Sequence, residues 1–250
     1  AWNNKTDHRQ IDHTIGRQEK YDARLAYDGW ELNHFNDSNW GNATEIGVPP
    51  IDPWNKIVVI NRERTFFKNF TPEKKWIRNG LHIYDFGKVI TAYPGFVANS
   101  SESGLTLEIG TAETLGKDSI PLTTDNVNYI DFYITKKGLQ SWNPITWRSF
   151  RYLAIKENKE VKIENVSAEF RSFPVKNSGY FLCSDSLLND IWEIGRWSMQ
   201  ICAQDTWMDT PWREQTQYIA GDSRYMLRYS PFSFDNNIKL LNDYSILSGA

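Results

Sequence analysis

An unusual group of carboxylates and aromatic rings lies within 18 residues of the chain, between two stretches with helical spacing. The segment contains, in order, Asp205, Trp207, Asp209, Trp212, Arg213, Glu214, Tyr218 and Asp222. Hydrolysis of a glycosidic bond needs one protonated carboxyl for the leaving oxygen and one carboxylate that activates water. Neighbouring carboxylates and apolar rings raise the pKa of a carboxyl, and further carboxylates can hold sugar hydroxyls. The segment therefore predicts acid–base chemistry on a sugar.

Two other interpretations of this segment remain open. It is also compatible with a solvated loop in which Asp209 and Asp222 cap helices and Arg213 is an ordinary ion-pair partner. Acidic clusters also bind calcium, but the spacing here lacks the alternating ligands of a calcium loop. We expect neither a metal nor a cofactor.

The overall composition is that of an ordinary globular protein and argues against nucleic acid and a membrane as partners. The chain has 250 residues, with 28 basic and 31 acidic side chains and a net charge of -3, which argues against a nucleic-acid surface. No run is apolar enough for a membrane span. Cys183 and Cys202 are too few for a disulfide scaffold, and we expect two buried thiols. Aromatic residues are abundant; we assign most to the core and some to a sugar site.

Residues 1–173 show the two-residue period of strands. The segments 105–109 and 130–135 alternate apolar and polar residues, while 56–60 and 150–155 are more continuously apolar. Turn signals such as Asn79-Gly80 separate them. Many short strands without a convincing helix predict an antiparallel β-sandwich, of one or two elements, over residues 1–173.

The period changes to that of helices after Pro174. Residues 174–183 are a linker, and Ser184-Asp185-Ser186 offers a helix start, followed by a largely buried helix of about five turns. A second helix is expected near Asp222 and a third after residues 235–237. Three helices with broad apolar faces would be marginal alone, so we expect residues 184–250 to be the first part of a longer helical domain. The alternative is a complete fold in which the helices dock on the sandwich.

The acidic segment, D209-T-P-W-R213-E214 followed by G221-D222, resembles the acidic motif of the bacterial α-L-rhamnosidase family. Five other segments are similar to parts of that family in the same order and cover nearly the whole chain: 21–43, 84–96, 107–113, 147–155 and 181–199. The resemblance implies β-sandwich domains followed by a six-hairpin (α/α) toroid, and hydrolysis with inversion at the anomeric carbon.

The resemblance also implies roles for single residues. Glu214 matches the general acid of one branch, Asp209 and Asp222 match positions that hold sugar hydroxyls, and Arg213 matches the basic position. Other members have the acid one position later, where this chain has Gln215, an amide that cannot donate a mobile proton. The family's catalytic base lies downstream of residue 250.

The leading hypothesis is an inverting glycoside hydrolase that removes terminal α-L-rhamnose from a glycan or glycoside in polysaccharide degradation. Trp207, Trp212, Tyr218 and Asp205 would contact the carbohydrate. One alternative keeps the toroid and changes the sugar, because fold does not fix specificity. Another is a non-catalytic carbohydrate-binding protein, which needs no carboxylate cluster. An extracytoplasmic location is slightly favoured over the cytoplasm.

Overall fold

The computed structural model describes residues 9–11, 18–48, 50–52, 66–117, 129–213, 215 and 223–248. Its strands are β1 (Arg9–Ile11), β2 (Glu19–Asp22), β3 (Phe66–Phe70), β4 (Lys74–Arg78), β5 (Leu81–Ser100), β6 (Thr106–Ala112), β7 (Ile130–Ile134), β8 (Gly138–Trp142), β9 (Arg148–Lys156) and β10 (Val161–Ser172). The helices are α1 (Ser186–Cys202), α2 (Arg224–Tyr229) and α3 (Ile238–Ser248), with a 3₁₀ turn at Ser230–Phe232. The expected strand at 56–60 lies outside the described residues.

The strands form one ten-stranded sheet, where the sequence predicted a sandwich. Its main order is β1-β2-β7-β6-β9-β5-β10-β3, with β4 and β8 also paired to β5, and the described pairs are antiparallel except β2–β7. β5 has 20 residues, long enough to pair with β4 and β9 at one end and with β8 and β10 at the other. β5 therefore joins two groups of strands, β4 with β9 and β8 with β10, into one hydrogen-bonded sheet.

The sheet curls so that strands distant in its order meet in one core. Phe96 on β5 lies 5.1 Å from Tyr133 on β7 and 5.7 Å from Trp142 on β8, measured between ring centroids. β5 and β7 are separated by two strands in the sheet order, so this contact requires the sheet to fold over itself. Burial of these rings supplies much of the driving force for the curl.

Local sequence signals explain several of the boundaries. Asn79 and Gly80 have φ values of 50° and 73° and join β4 to β5, as expected for an Asn-Gly hairpin turn. β10 ends at Ser172, before Pro174, and no helix precedes α1 among the described residues. Asp185 caps α1 by accepting a hydrogen bond from the backbone N–H of Leu187 at 2.9 Å. These expectations from the sequence are confirmed.

β7 reverses the burial that its apolar–polar alternation predicts. Asp131 and Tyr133 are buried, whereas Ile130 is 36% exposed. Asp131 tolerates burial because Arg148 donates to it at 3.0 Å and the backbone N–H of Glu19 donates to it at 2.7 Å. A buried ion pair and a core tyrosine therefore face inward in place of the isoleucines.

The prediction that α1 is largely buried is wrong for the described part of the molecule. Only Ile201 and Cys202 are buried, in the last turn, while Leu187, Leu188, Ile191 and Ile194 are exposed. The last turn is covered because it contacts the sheet core and a second core. That second core consists of Phe173, Cys202, Ala203, Trp207, Phe234, Ile238 and Leu241. α2 and α3 form where helices were expected, although residue 222 itself lies outside the described residues.

Candidate active site

A β-bulge in β5 attaches the first helix to the sheet. The pairing of β5 with β9 shifts between Asp85 and Ile90, which frees residues 86–89 from that ladder. The Val89 carbonyl accepts a hydrogen bond from the indole N–H of Trp197 on α1 at 2.7 Å. The Lys88 ammonium lies 3.4 Å from the centroid of the Trp197 ring. The sheet thus packs against α1, and the contact is centred on Trp197.

Gly87 permits this bulge. Its φ of 80° lies in the left-handed region, and a Cβ at this position would come within 2.3 Å of the Glu73 carboxylate. Its backbone N–H donates to Asp85 at 2.7 Å. Arg151 donates two hydrogen bonds to the same carboxylate and holds the pKa of Asp85 below its usual range.

A cavity of about 790 Å³ opens between the sheet, α1 and the acidic segment. The sheet contributes Lys88, Val89 and Glu113, and the acidic segment contributes Asp209, Thr210, Pro211 and Trp212. The wall formed by α1 includes Glu193, Arg196, Trp197 and Cys202. The volume lies within the range of small-ligand sites, and aromatic, charged and apolar groups line it together. A sugar ring with its hydroxyls matches this mixture.

Asp209 and Trp212 are the two predicted sugar-site residues that the structure places on this cavity. The Asp209 carboxylate is half-buried and accepts a hydrogen bond from the backbone N–H of Thr210 at 2.6 Å. The Trp212 ring packs on Tyr129, with the ring centroids 4.2 Å apart. Tyr129 is itself buried, so the sheet supports the tryptophan from behind. An indole ring held in this way offers a flat surface to a pyranose.

Trp207 occupies a different position from the one predicted. Its side chain is fully buried in the second core, where its indole N–H donates to Asn242 at 2.7 Å. Its backbone N–H donates to the Ser245 hydroxyl at 3.0 Å. A ring enclosed by α3 has no face free for a sugar. Trp207 therefore fixes the start of the acidic segment against the helices, and its assignment to the carbohydrate is corrected.

Asp205 also lies away from the cavity lining. It is exposed and pairs with Arg171 at the end of β10, with an N–O distance of 2.7 Å. This pair links the acidic segment to the sheet on the outside of the molecule. The prediction that Asp205 contacts the carbohydrate stays a prediction, and its carboxylate pairs with Arg171.

Gln215 explains how the segment returns to the sheet. Its φ is 52°, its backbone N–H donates to the Thr210 carbonyl at 3.0 Å, and its side-chain amide donates to the carbonyls of Trp147 and Pro211. A carboxylate could not donate these two bonds. An amide at this position therefore has a structural function that an acid would lose.

Three predicted residues, Glu214, Tyr218 and Asp222, lie outside the described residues. Arg213, next to Glu214, is half-buried, and its charge acts on the Tyr129 hydroxyl. The pKa of Tyr129 is raised chiefly by burial. Arg213 thus lies near Tyr129, the residue on which the Trp212 ring packs.

Glu113 is a cavity residue that the analysis of the sequence missed. It follows β6 and accepts a hydrogen bond from the Ser149 hydroxyl at 2.7 Å. Burial raises its pKa. The pKa of the Cys202 thiol is raised to about 12, first by burial and then by the charges of Asp209 and Glu113. One carboxylate from the sheet and one from the acidic segment therefore lie near the same thiol.

Among the residues that the structure describes, no group of His, Cys, Asp and Glu side chains is arranged to hold a metal ion. None of the described helices is both long and apolar enough to span a membrane.

The known proteins that this chain matches include bacterial α-L-rhamnosidases. Residues 176–242 match the model of the bacterial alpha-L-rhamnosidase six-hairpin glycosidase domain. An alpha-L-rhamnosidase of Formosa agariphila is 28% identical over 228 residues, which cover 86% of this chain and 23% of that protein. The chain is similar to the bacterial α-L-rhamnosidases. It spans about a quarter of the length of the curated rhamnosidases that it matches.

Solved structures of rhamnosidases share the fold. The alpha-L-rhamnosidase from Dictyoglumus thermophilum superposes with a TM-score of 0.70 at 27% identity, covering 88% of this chain and 26% of that one. The GH78 family rhamnosidase of Bacillus sp. GL1 superposes with a TM-score of 0.58 at 29% identity, covering 63% of this chain and 17% of that one. The similarity thus extends from the helical region into the sheet.

Proposed function

We propose that this chain works in an inverting glycoside hydrolase that removes terminal α-L-rhamnose from a glycan or glycoside. The observation that carries the proposal is the cavity in which Asp209 and the supported ring of Trp212 face the first helix and the sheet. The similarity to rhamnosidases over both regions supports rhamnose as the sugar.

The proposed reaction divides the carboxylates by role. Glu214 is the general acid that protonates the leaving oxygen, while Asp209 and Asp222 hold sugar hydroxyls by charge-assisted hydrogen bonds. Arg213 orients the acidic groups. The base that activates water is not assigned to a residue of this chain. Tyr218 and Trp212 contact the apolar face of the sugar.

The position of Gln215 supports Glu214 as the acid. The side chain of Gln215 is engaged with the carbonyls of Trp147 and Pro211, so it anchors the segment directly beside Glu214. Because this amide has a structural role and carries no mobile proton, the proton donor of the segment is assigned to Glu214.

We further propose the domain organisation. Residues 1–173 form the β-rich region, residues 174–183 connect, and residues 184–250 contribute the first helices of an (α/α) six-hairpin toroid. The match of residues 176–242 to the six-hairpin domain supports this division. Additional helices of the toroid would then cover the exposed apolar face of α1.

The test compares two variants of the full-length protein on two substrates. Glu214→Gln keeps the shape and removes the proton, so kcat/KM on a natural rhamnoside should fall by roughly 10²–10⁴. A rhamnoside with an activated aryl leaving group needs less protonation, and the loss there should be much smaller. Asp209→Asn should weaken both substrates alike, because binding of the sugar does not depend on the leaving group.

Two results would contradict the proposal. Equal losses of Glu214→Gln on both substrates would remove it from the acid role. Turnover of other aryl glycosides in preference to the aryl α-L-rhamnoside would reject rhamnose. Binding of rhamnosides without any turnover by the wild-type protein would favour a carbohydrate-binding protein over an enzyme.

A further inference from the structure

Glu113 is half-buried, and it differs from the buried carboxylates of the sheet because it has no cation. Glu19 pairs with Arg9, Asp85 with Arg151 and Asp131 with Arg148. Among the described residues, no lysine or arginine pairs with Glu113, and its one hydrogen bond comes from Ser149. A carboxylate removed from water without a cation costs free energy. Of these four carboxylates of the sheet, Glu113 is the one without a cation, and it is also the one that lines the cavity.

The contact with Ser149 also orients the carboxyl group. The hydroxyl donates to Oε1, and no described residue donates to Oε2. Glu113 directly follows the last β6–β9 pair, Ala112 with Tyr152, and Ser149 lies on β9, where it is paired with Thr91 of β5. The Glu113 carboxyl group is thus fixed in orientation, and its Oε2 can accept a further hydrogen bond. Glu113 lines the cavity from the sheet, whereas Asp209 and Trp212 line it from the acidic segment.

We propose that Glu113 is a further sugar-binding residue of this site, accepting a hydrogen bond from a hydroxyl of a glycoside bound in the cavity that Asp209 also lines. This inference rests on the proposed glycosidase function and extends the binding site from the helical region to the sheet. A hydroxyl donor to Oε2 would supply the hydrogen bond that the protein does not. Carboxylate–hydroxyl bonds are charge-assisted and discriminate sharply between a substrate that has the hydroxyl and an analogue that lacks it.

The sheet offers a matched control in Glu108. It lies on β6 with Glu113 just beyond the end of the same strand, and it is paired with Lys156 on the surface at 2.7 Å. Glu108→Gln makes the same chemical change outside the cavity. Ser149→Ala provides a second variant that leaves the Glu113 carboxyl in place and removes its orienting bond.

The experiment measures kcat and KM of the full-length protein on an aryl α-L-rhamnoside and on its monodeoxy analogues. We expect Glu113→Gln to lower kcat/KM by roughly 10- to 100-fold, mainly through KM, as for loss of a hydrogen bond to a charged group. Ser149→Ala should show a smaller loss in the same direction, and Glu108→Gln should match the wild type. On the one analogue that lacks the contacted hydroxyl, Glu113→Gln and the wild type should become equal.

Different failures are distinguishable. If the wild type hydrolyses the rhamnoside and Glu113→Gln behaves as Glu108→Gln does, the inference about Glu113 is overturned and the glycosidase proposal stands. If Glu113→Gln loses the same factor on every deoxy analogue, its effect is structural and the inference is again overturned. If the wild type neither binds nor hydrolyses the rhamnoside, the proposed function and this inference fail together.

Discussion

Similar side chains differ in burial between the sheet and the first helix. In the sheet, Ile90 is fully buried and Arg148 is enclosed with Asp131. In α1, Ile194 is 66% exposed and the half-buried Arg196 pairs with the exposed Glu193. The sheet therefore contains its own core within the described residues, whereas α1 gains its described support through its last turn and Trp197. Stability in the 250-residue chain should accordingly depend on the sheet.

The largest difference in the free energy of unfolding is expected between variants of Arg148 in the sheet and of Arg196 on α1. Arg148→Met leaves the buried carboxylate of Asp131 without its cation, which should lower the free energy of unfolding by about 3–5 kcal/mol. Arg196→Met removes a pair whose carboxylate partner, Glu193, is exposed and should cost about 0–1 kcal/mol. Urea unfolding of both variants near neutral pH measures the difference.

The pH dependence of the Arg148→Met variant provides its control. Burial already raises the pKa of Asp131, and loss of the arginine raises it further. Protonation removes the uncompensated charge, so the cost of Arg148→Met should shrink as the pH falls. A cost that is the same at acid and neutral pH would mean that packing, and not charge, explains the burial of Arg148.

The second comparison uses one chemical change in two places. Ile90→Ala in the sheet core should cost about 2–5 kcal/mol, because it leaves a cavity. Ile194→Ala on α1 should cost less than about 0.5 kcal/mol in the 250-residue chain. Chemical denaturation with fluorescence detection gives both values. Similar costs at the two positions would show that the apolar face of α1 is covered in solution.

The third prediction concerns the contact between the two regions. Trp197→Phe keeps a ring against Phe170 but leaves the Val89 carbonyl of the bulge without its indole donor. The expected cost is about 1–3 kcal/mol, confined to the attachment of α1. Hydrogen exchange should show faster exchange in α1 and unchanged protection in β9. Trp192→Phe on the same helix is the control, since Trp192 makes no described contact with the sheet. Equal exchange in the two variants would count against the attachment at Trp197.

The smallest expected effect is a change in pH dependence at Glu113. Its pKa in the folded state is raised above the usual 4.5, so its contribution to stability is present below that pH and is lost as the pH rises through the raised value. Glu113→Gln removes this titration. The free energy of unfolding of the variant, relative to that of the wild type, should therefore increase as the pH rises from about 4 to about 7. Urea midpoints at both pH values test this, and a difference that does not vary with pH would contradict the raised pKa.

Local features of the chain were predictable from the sequence. The Asn79-Gly80 turn, the Asp185 cap and the end of the strands before Pro174 depend on neighbouring residues alone, and all three are where the sequence indicates. Asp209 and Trp212, which the sequence assigned to a sugar site, both line the cavity.

The remaining features depend on contacts between distant residues. Glu113 and Ser149 are 36 residues apart and meet because β6 pairs with β9. The buried side of β7 is decided by Arg148, which no pattern within β7 reveals. Trp207 looks like a sugar-binding ring in the acidic segment until α3 is seen to enclose it. Periodicity cannot report such partners, since it describes one element at a time.

The length of β5 has a consequence for how the sheet assembles. Of its four partner strands, β4 is its neighbour along the chain, whereas β10 ends at Ser172. Pairing over such sequence separations slows folding, because long loops must close before the contacts form. During synthesis, β5 therefore leaves the ribosome well before its last partner. Until Ser172 has emerged, the nascent chain carries an open apolar strand edge, which is the period of greatest risk for aggregation.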